Sequence, residues 1–205
     1  MKALLLIGGG GHCRSCIDVI EASQHYVVAG VVDREAQAGA TVLSYPILGN
    51  DDDLPQLLKK YPAALITIGQ IKSAESRIRL FERLKTLGAE LPSLISSHAH
   101  VSRHALVAAG SVVMHGSILN ASASVGENCI INSQALIEHD CVVEAHCHIS
   151  TGAKLNGNVH VESGCFIGSG TVVREGVRIG ANSLIQAGSV VLSDVLAGTV
   201  YRGQA

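Results

Sequence analysis

The chain has 205 residues, enough for a sizeable core and close to the boundary between one domain and two. A net charge of -2 without any Lys/Arg run excludes general attraction to nucleic acid or acidic membranes. Two Phe and no Trp exclude an aromatic platform for stacking bases, while 22 Gly point to many tight turns and 16% charged residues to an oligomer hiding part of its surface.

The opening "MKALLLIGGGG" begins like a signal peptide, but its short apolar run enters a glycine cluster and reads as a first strand. Nothing reaches the roughly 20 apolar residues of a membrane span. The six cysteines lack a secretory context and read as reduced thiols of a cytoplasmic protein.

Ala3 to Ile7 predicts a strand, Gly8 to Gly11 a tight turn, and residues 12–22 a helix. Tyr26 to Val32 predicts a second strand ending at Asp33, and residues 51–60 a short helix with an acidic start. Ala64 to Ile68 predicts a third strand closed by Gly69, then a helix over 73–87 with Ile78, Phe81 and Leu84 at helical spacing. Alternating strands and helices define a small α/β, Rossmann-like domain with a parallel sheet over residues 1–92. Leu91 to His100 reads as the connection, with one or two strands leading onward.

The turn "IGGGGHC" follows a strand and opens a helix, the context of a phosphate-binding loop. Gly9, Gly10, Gly11 and His12 are the candidate contacts, with Asp33 placed to accept from a ribose or base and Gly69 lining the same crevice. The full G-x-G-x-x-G pattern is missing, since Cys13 and Arg14 stand where its last glycine would fall, and no Walker lysine follows. A purely structural turn, or an NAD-binding dehydrogenase, is the competing reading. Cys13 and Cys16 share a redox spacing but lack the surroundings of a dithiol enzyme.

From Val101 to Val191 every sixth residue is aliphatic, sixteen positions without a slip. Chance does not hold such a register over 90 residues, and a period of six fits neither a helix nor an alternating strand. It is the hexapeptide signature of a solenoid β-helix, here assigned to residues 93–205. Three hexads make a triangular coil of 18 residues, and stacked coils of about 4.8 Å each make a prism roughly 25 Å long. Cys129, Cys147 and Cys165 then share one inward column with Ser111 and Ser183, a packing pattern and not a metal site.

The same stacking sets His139 in a column with Ala121 below and Gly157 above. The flanking Glu138 and Asp140 suit a general base, because a carboxylate on one ring nitrogen fixes the tautomer of the other. A surface histidine is the plainer reading, and the histidines at 139, 146 and 148 do not converge as zinc ligands would.

Together, "IGGGGHCR", "VVD" at 31–33, "TIG" at 67–69 and "IINSQALIEHDCVVEAHCHISTGAKLNGNV" resemble the left-handed β-helix (hexapeptide-repeat) sugar acetyltransferases. The closest resemblance is to UDP-N-acetylbacillosamine N-acetyltransferases and sialic acid O-acetyltransferase-like proteins. It implies a left-handed parallel β-helix, a homotrimer with active sites between subunits, acetyl-CoA as co-substrate, a UDP-amino-sugar held by the first domain, and no metal. It also implies His139 as base, Asp140 orienting its ring, Asn132 near the reacting groups and the Gly157 N–H on the thioester oxygen. His148, Gly152, Ala153 and Gly157 would contact the acetyl donor. O-acetylation of a sugar such as sialic acid, or a non-catalytic scaffold, would be the alternatives. Cys13, Gln70 and the ending "YRGQA" depart from the family pattern.

Overall fold

The computed structural model describes residues 1–35 and 39–203. The first part is a five-stranded sheet, order β3-β4-β2-β1-β5, of β1 (Lys2–Ile7), β2 (Tyr26–Val32), β3 (Thr41–Val42), β4 (Tyr45–Gly49) and β5 (Ala63–Ile66). Its helices are α1 (Gly11–Ser23), α2 (Leu54–Lys60) and α3 (Glu75–Thr86). The predicted parallel pairing holds for β1, β2 and β5; β4 also joins β2 in parallel, and β3 pairs antiparallel with β4. That hairpin was not predicted from the sequence: its strands are two and five residues long, too short for a periodic signal, and Leu43 turns the corner at φ +52°. Leu4, Leu6, Val31 and Leu65 face α1, while Leu5, Ile7, Ala64 and Ile66 face α2 and α3. The sheet is thus covered on both sides, as parallel strands require.

Rungs of two residues then stack into three faces from Leu94 to Tyr201. Face 1 includes Val112–Val113, Ile130–Ile131 and His148–Ile149; face 2 includes Ile118–Leu119, Leu136–Ile137 and Lys154–Leu155; face 3 includes Ser124–Val125, Val142–Val143 and His160–Val161. All rungs pair in parallel with the rung 18 residues away, apart from the last of face 1, where Leu184 pairs with Val200. Of the sixteen aliphatic positions, those from Val113 to Val191 are buried; Val101 and Val107, at the open end, are half-buried.

The prism turns its corners by a device the sequence reading did not use. From Gly110 to Gly188 every sixth residue has positive φ, and it is always Gly, Ser, Asn, Gln, Asp or His. The left-handed region is cheapest for Gly and tolerable for Asn and Asp. Inside, Cys129, Cys147 and Cys165 are buried free thiols, each donating to a carbonyl one coil above, at 3.1, 3.1 and 3.2 Å. The packing assignment of this column is therefore correct. Among the described residues no group of three or more His, Cys, Asp or Glu is arranged to hold a metal, and no helix is long and apolar enough to cross a membrane.

Gly168 is a further constraint, because a Cβ there would stand 2.4 Å from the backbone nitrogen of Ala187 in the next coil. Gly168→Ala is expected to destabilise the prism by about 2 kcal/mol or more. Thermal denaturation, with Gly170→Ala at an open corner as reference, checks this; the reference should suffer only its own φ strain.

Candidate active site

The crevice of the first domain lies where β1, β2 and β5 end. It has a volume of about 530 Å³ and is lined by Gly8, Gly10, Gly11, His12, Asp33 and Gly69, among others. A ligand crevice outside the carboxyl ends of parallel strands is the general expectation for open α/β sheets. Gly8, at φ +107°, is pressed against Ile68, and a Cβ on Gly9 would meet Asp33 at 3.0 Å, so these two glycines serve packing. Gly10 and Gly11 face open space, and the N–H groups of Gly11 and His12, at the start of α1, have no acceptor among the described residues, while that of Cys13 turns back to the Gly10 carbonyl. This end of the crevice suits a diphosphate.

Asp33 has a role that its position alone did not predict. Its carboxylate accepts from the Gly9 N–H at 2.6 Å and the Glu35 N–H at 3.0 Å, so it first of all braces the glycine turn. Thr67 donates its hydroxyl to the Gly8 carbonyl at 2.7 Å and clamps the turn from the other side. Arg34 and Asp51, which the sequence reading passed over, also line the crevice. They sit in a loop and a 3₁₀ turn, where no periodicity marks them.

A second hollow of about 500 Å³ adjoins the first, sharing Gly11, His12 and Gly69, and reaches the prism at Asn132, Ser133 and His148. His148 is 7% exposed; its Nδ1–H donates to the Gln70 carbonyl at 2.7 Å, which leaves Nε2 to accept from Asn132 Nδ2 at 3.1 Å. Asn132 Oδ1 accepts from the Ser133 N–H at 2.8 Å, fixing the amide. The Gln70 side chain donates to the Gly164 and Cys165 carbonyls, both at 3.3 Å. Gln70, a departure at the level of sequence, is thus a seam between domain and prism.

His139 and Asp140 occupy a different corner, between faces 2 and 3. His139 Nδ1 pairs with Asp140 Oδ2 at 2.8 Å, and the His139 side chain is 63% exposed. The neighbouring Glu138 is turned toward Asn120 Nδ2 at 2.8 Å. Gly157 stands one coil above; a Cβ there would lie 2.7 Å from both Cε1 and Nε2 of the ring, so only glycine lets the imidazole stack on the turn. Among the described residues the Gly157 N–H has no acceptor. The structure therefore brings His139, Asp140 and Gly157 together, and separately Asn132, His148, His12 and Gly69. The two sets lie on different corners of one chain.

Gly152 turns the corner between faces 1 and 2 at φ +67°. Ala153 buries its methyl inside the prism, its N–H bonds to the Ser150 carbonyl, and its carbonyl accepts from Leu136. Of these two candidate donor contacts, only Gly152 is open to a ligand.

A glycine-lined crevice whose adjoining hollow reaches a histidine-bearing corner of a six-residue-repeat coil marks the molecule as a hexapeptide-repeat transferase. The comparisons agree: residues 3–84 match the PglD N-terminal domain model and residues 158–193 the bacterial transferase hexapeptide (six repeats) model. A His→Asn variant of perosamine N-acetyltransferase from Caulobacter crescentus, in complex with CoA and GDP-perosamine, superposes with a TM-score of 0.90 at 32% identity, covering 96% of this chain and 91% of that one. The acetyltransferase domain of PglB from Neisseria gonorrhoeae FA1090 gives 0.88 at 29% identity, covering 97% and 95%. The same domain in complex with acetyl coenzyme A gives 0.85 at 29%, covering 96% and 94%. A search of curated protein sequences finds no match. The chain belongs to the left-handed β-helix sugar N-acetyltransferases, which are acetyl-CoA-dependent enzymes. The hand of the coil, against the usual right-handed crossover, comes with that membership.

Burial holds His148 neutral, pushing its ionisation down to about 4 from the ordinary 6.5; the Arg77 charge adds to this and the Gln70 carbonyl opposes it. His12, half-buried, is pushed down to about 3 by burial, Arg77 and His148. A folded state that keeps a histidine neutral has its full stability above pH 6.5 and loses it as pH falls toward the folded value. His148 alone is expected to cost about 3 kcal/mol between pH 6.5 and 4. Melting temperatures over that range check this, with a shallower slope expected for His148→Gln.

Proposed function

We propose that the chain transfers the acetyl group of acetyl-CoA to the amine of a UDP-linked 4-amino sugar, at a site completed by a second copy in a homotrimer. The observation that carries the chemistry is the His139 ring, paired with Asp140 and stacked on Gly157 beside an unsatisfied N–H.

Acetyl-CoA enters as a substrate. The amine nitrogen attacks the thioester carbon while His139 Nε2, held as the acceptor tautomer by Asp140, takes the proton that nitrogen sheds. The Gly157 N–H is placed for the oxygen that gains charge, a contribution of about 3 kcal/mol for a single donor. The C–S bond then breaks and the imidazolium returns its proton to the departing sulfur. The crevice at Gly10 and Gly11 holds the diphosphate, and the hollow at His12, Asn132 and His148 holds the sugar. Gly152 lies at the corner that the donor would follow. The free thiols accord with a cytoplasmic setting.

The separation of the two residue sets within one chain supports the shared site. Face 2, which joins their corners, exposes Ile118 and Val190 at 39% and 53%. Between them stand the half-buried Leu136 and Val172 and one exposed charge, Lys154, and this mostly apolar column is suited to burial against another copy. For the nucleotide, the likeness to an enzyme crystallised with GDP-perosamine favours GDP as a second reading.

His139→Ala is expected to lower kcat by 100-fold or more, roughly the general-base contribution, and Gly157→Ala to do the same by expelling the ring. Near-normal turnover by either variant would remove the base from this scheme. Coenzyme A release with UDP- and GDP-linked 4-amino sugars decides the nucleotide. Co-expressing His139→Ala with His12→Ala should recover activity that neither variant has alone, because mixed oligomers contain sites with both halves intact; an intra-chain site would recover none.

A further inference from the structure

Arg77 is 1% exposed and has no ion pair among the described residues. Its Nη2 donates to the Asn128 backbone and side-chain oxygens at 2.6 and 2.8 Å, and Nη1 reaches Gln70 Oε1 at 3.5 Å. Its Nε has no partner. A buried cation surrounded by neutral dipoles is costly and is not expected for packing alone. Burial lowers its ionisation only to about 10, so it keeps its charge at neutral pH.

The position of this charge is specific. Gln70 and His148 line the hollow that we assign to the sugar, and Arg77 stands directly behind them. We propose that Arg77 is a fixed positive charge behind the sugar pocket that selects the free-base form of the amino sugar, so that the nucleophile arrives uncharged. This rests on the reading of that hollow as the acceptor site. On binding, the ammonium leaves its proton to solvent and the nitrogen lone pair is free to attack; a bound ammonium has none.

The groups around the hollow do not counter this. From α1 the facing groups are His12 and the buried thiol of Cys16, whose ionisation is pushed up by burial. From the prism the facing group is His148, with His146 behind it, both depressed by burial. The Cys129 thiol, inside the coil, has its ionisation drawn down, against the effect of burial, by its bond with Cys147 and by Arg77, while that of Cys147 is pushed up. Glu82, Glu127 and Lys85 lie on the far side, around His146. From a second copy, Asp140 is engaged by His139 and Glu138 by Asn120. The imidazoles nearest Arg77 are neutral, and an amine placed against them meets the same field.

The test measures binding by calorimetry between pH 6 and 9 for GDP-perosamine, for a UDP-linked 4-amino sugar, and for analogues of each with a hydroxyl replacing the amine. The diphosphate is common to each pair and cancels. Amine binding should weaken by about tenfold per pH unit below the free amine's own ionisation, while hydroxyl binding stays flat. Equal amine binding at pH 6 and 8.5 would overturn the proposal without needing any variant. In Arg77→Gln the acid limb of kcat should move up by about one pH unit while that of kcat/KM stays in place, and Arg77→Lys should restore it. If neither sugar is turned over, the functional reading falls, and the field is still readable on His148 by NMR. That ring should begin to protonate about one pH unit higher in Arg77→Gln; an unchanged titration sinks the role of Arg77.

Discussion

The backbone ladder between coils is the constraint on which the rest of the molecule depends. Met114 N–H to Ile131 O, Asn132 N–H to Ile149 O and Asn158 N–H to His139 O are all 2.9 Å, and the pattern repeats along the prism. Bonds spanning 17 and 19 residues thereby hold the strands in a register of 18, and a slip of one residue would carry the aliphatic interior outward. The ladder survives only if every corner turns alike, which is why one residue in six takes positive φ. Asp140 shows the consequence for chemistry. At φ +59° it is a corner residue first, and that geometry carries its carboxylate to His139 Nδ1. The candidate base is positioned by the backbone, not by a loop that must order on binding.

The joint between domain and prism follows another logic. The prism offers apolar Leu94, Val112 and Met114 to the first domain, yet the seam also contains Gln70, Arg77, Asn128 and His148. Apolar contact alone would be indifferent to small rotations. Directional bonds from Gln70 to the Gly164 and Cys165 carbonyls, and from His148 to the Gln70 carbonyl, are not. They hold the mouth of the glycine crevice against Asn132, so that crevice and hollow run into one another.

How much of this was legible in the sequence varied with the length of each signal. Sixteen aliphatic positions announced the prism, and the strand–glycine–helix order announced the crevice. The 18-residue stacking set Gly157 above His139 before any coordinate did. What it missed was short or aperiodic: the β3–β4 hairpin, Arg34 and Asp51. Arg77 was within reach, since Arg77, Leu80, Phe81 and Leu84 share the buried face of α3, and an arginine in a core stripe is a signal by itself. Asp33 was placed correctly at the crevice but credited with ligand contacts ahead of its bracing of Gly9. Asn132 was expected near the reacting groups, and the sequence did not convey that it occupies a different corner of its own chain from His139.

That last point bears on assembly. In a hinged enzyme, half-sites seven residues apart could close on each other; corners of one hydrogen-bonded triangular prism cannot. Asn132 is held between faces 1 and 2 and His139 between faces 2 and 3, with face 2 always between them. Under the proposed assembly, rotation about an axis parallel to the prism sets the 2/3 corner of one copy against the 1/2 corner of the next at equal coil height. Unlike corners then meet at each contact, as a closed ring of three demands. The ladder that forbids closure within a chain is what keeps those heights matched between chains, so the rigidity that splits the site also makes its completion by a neighbour reproducible.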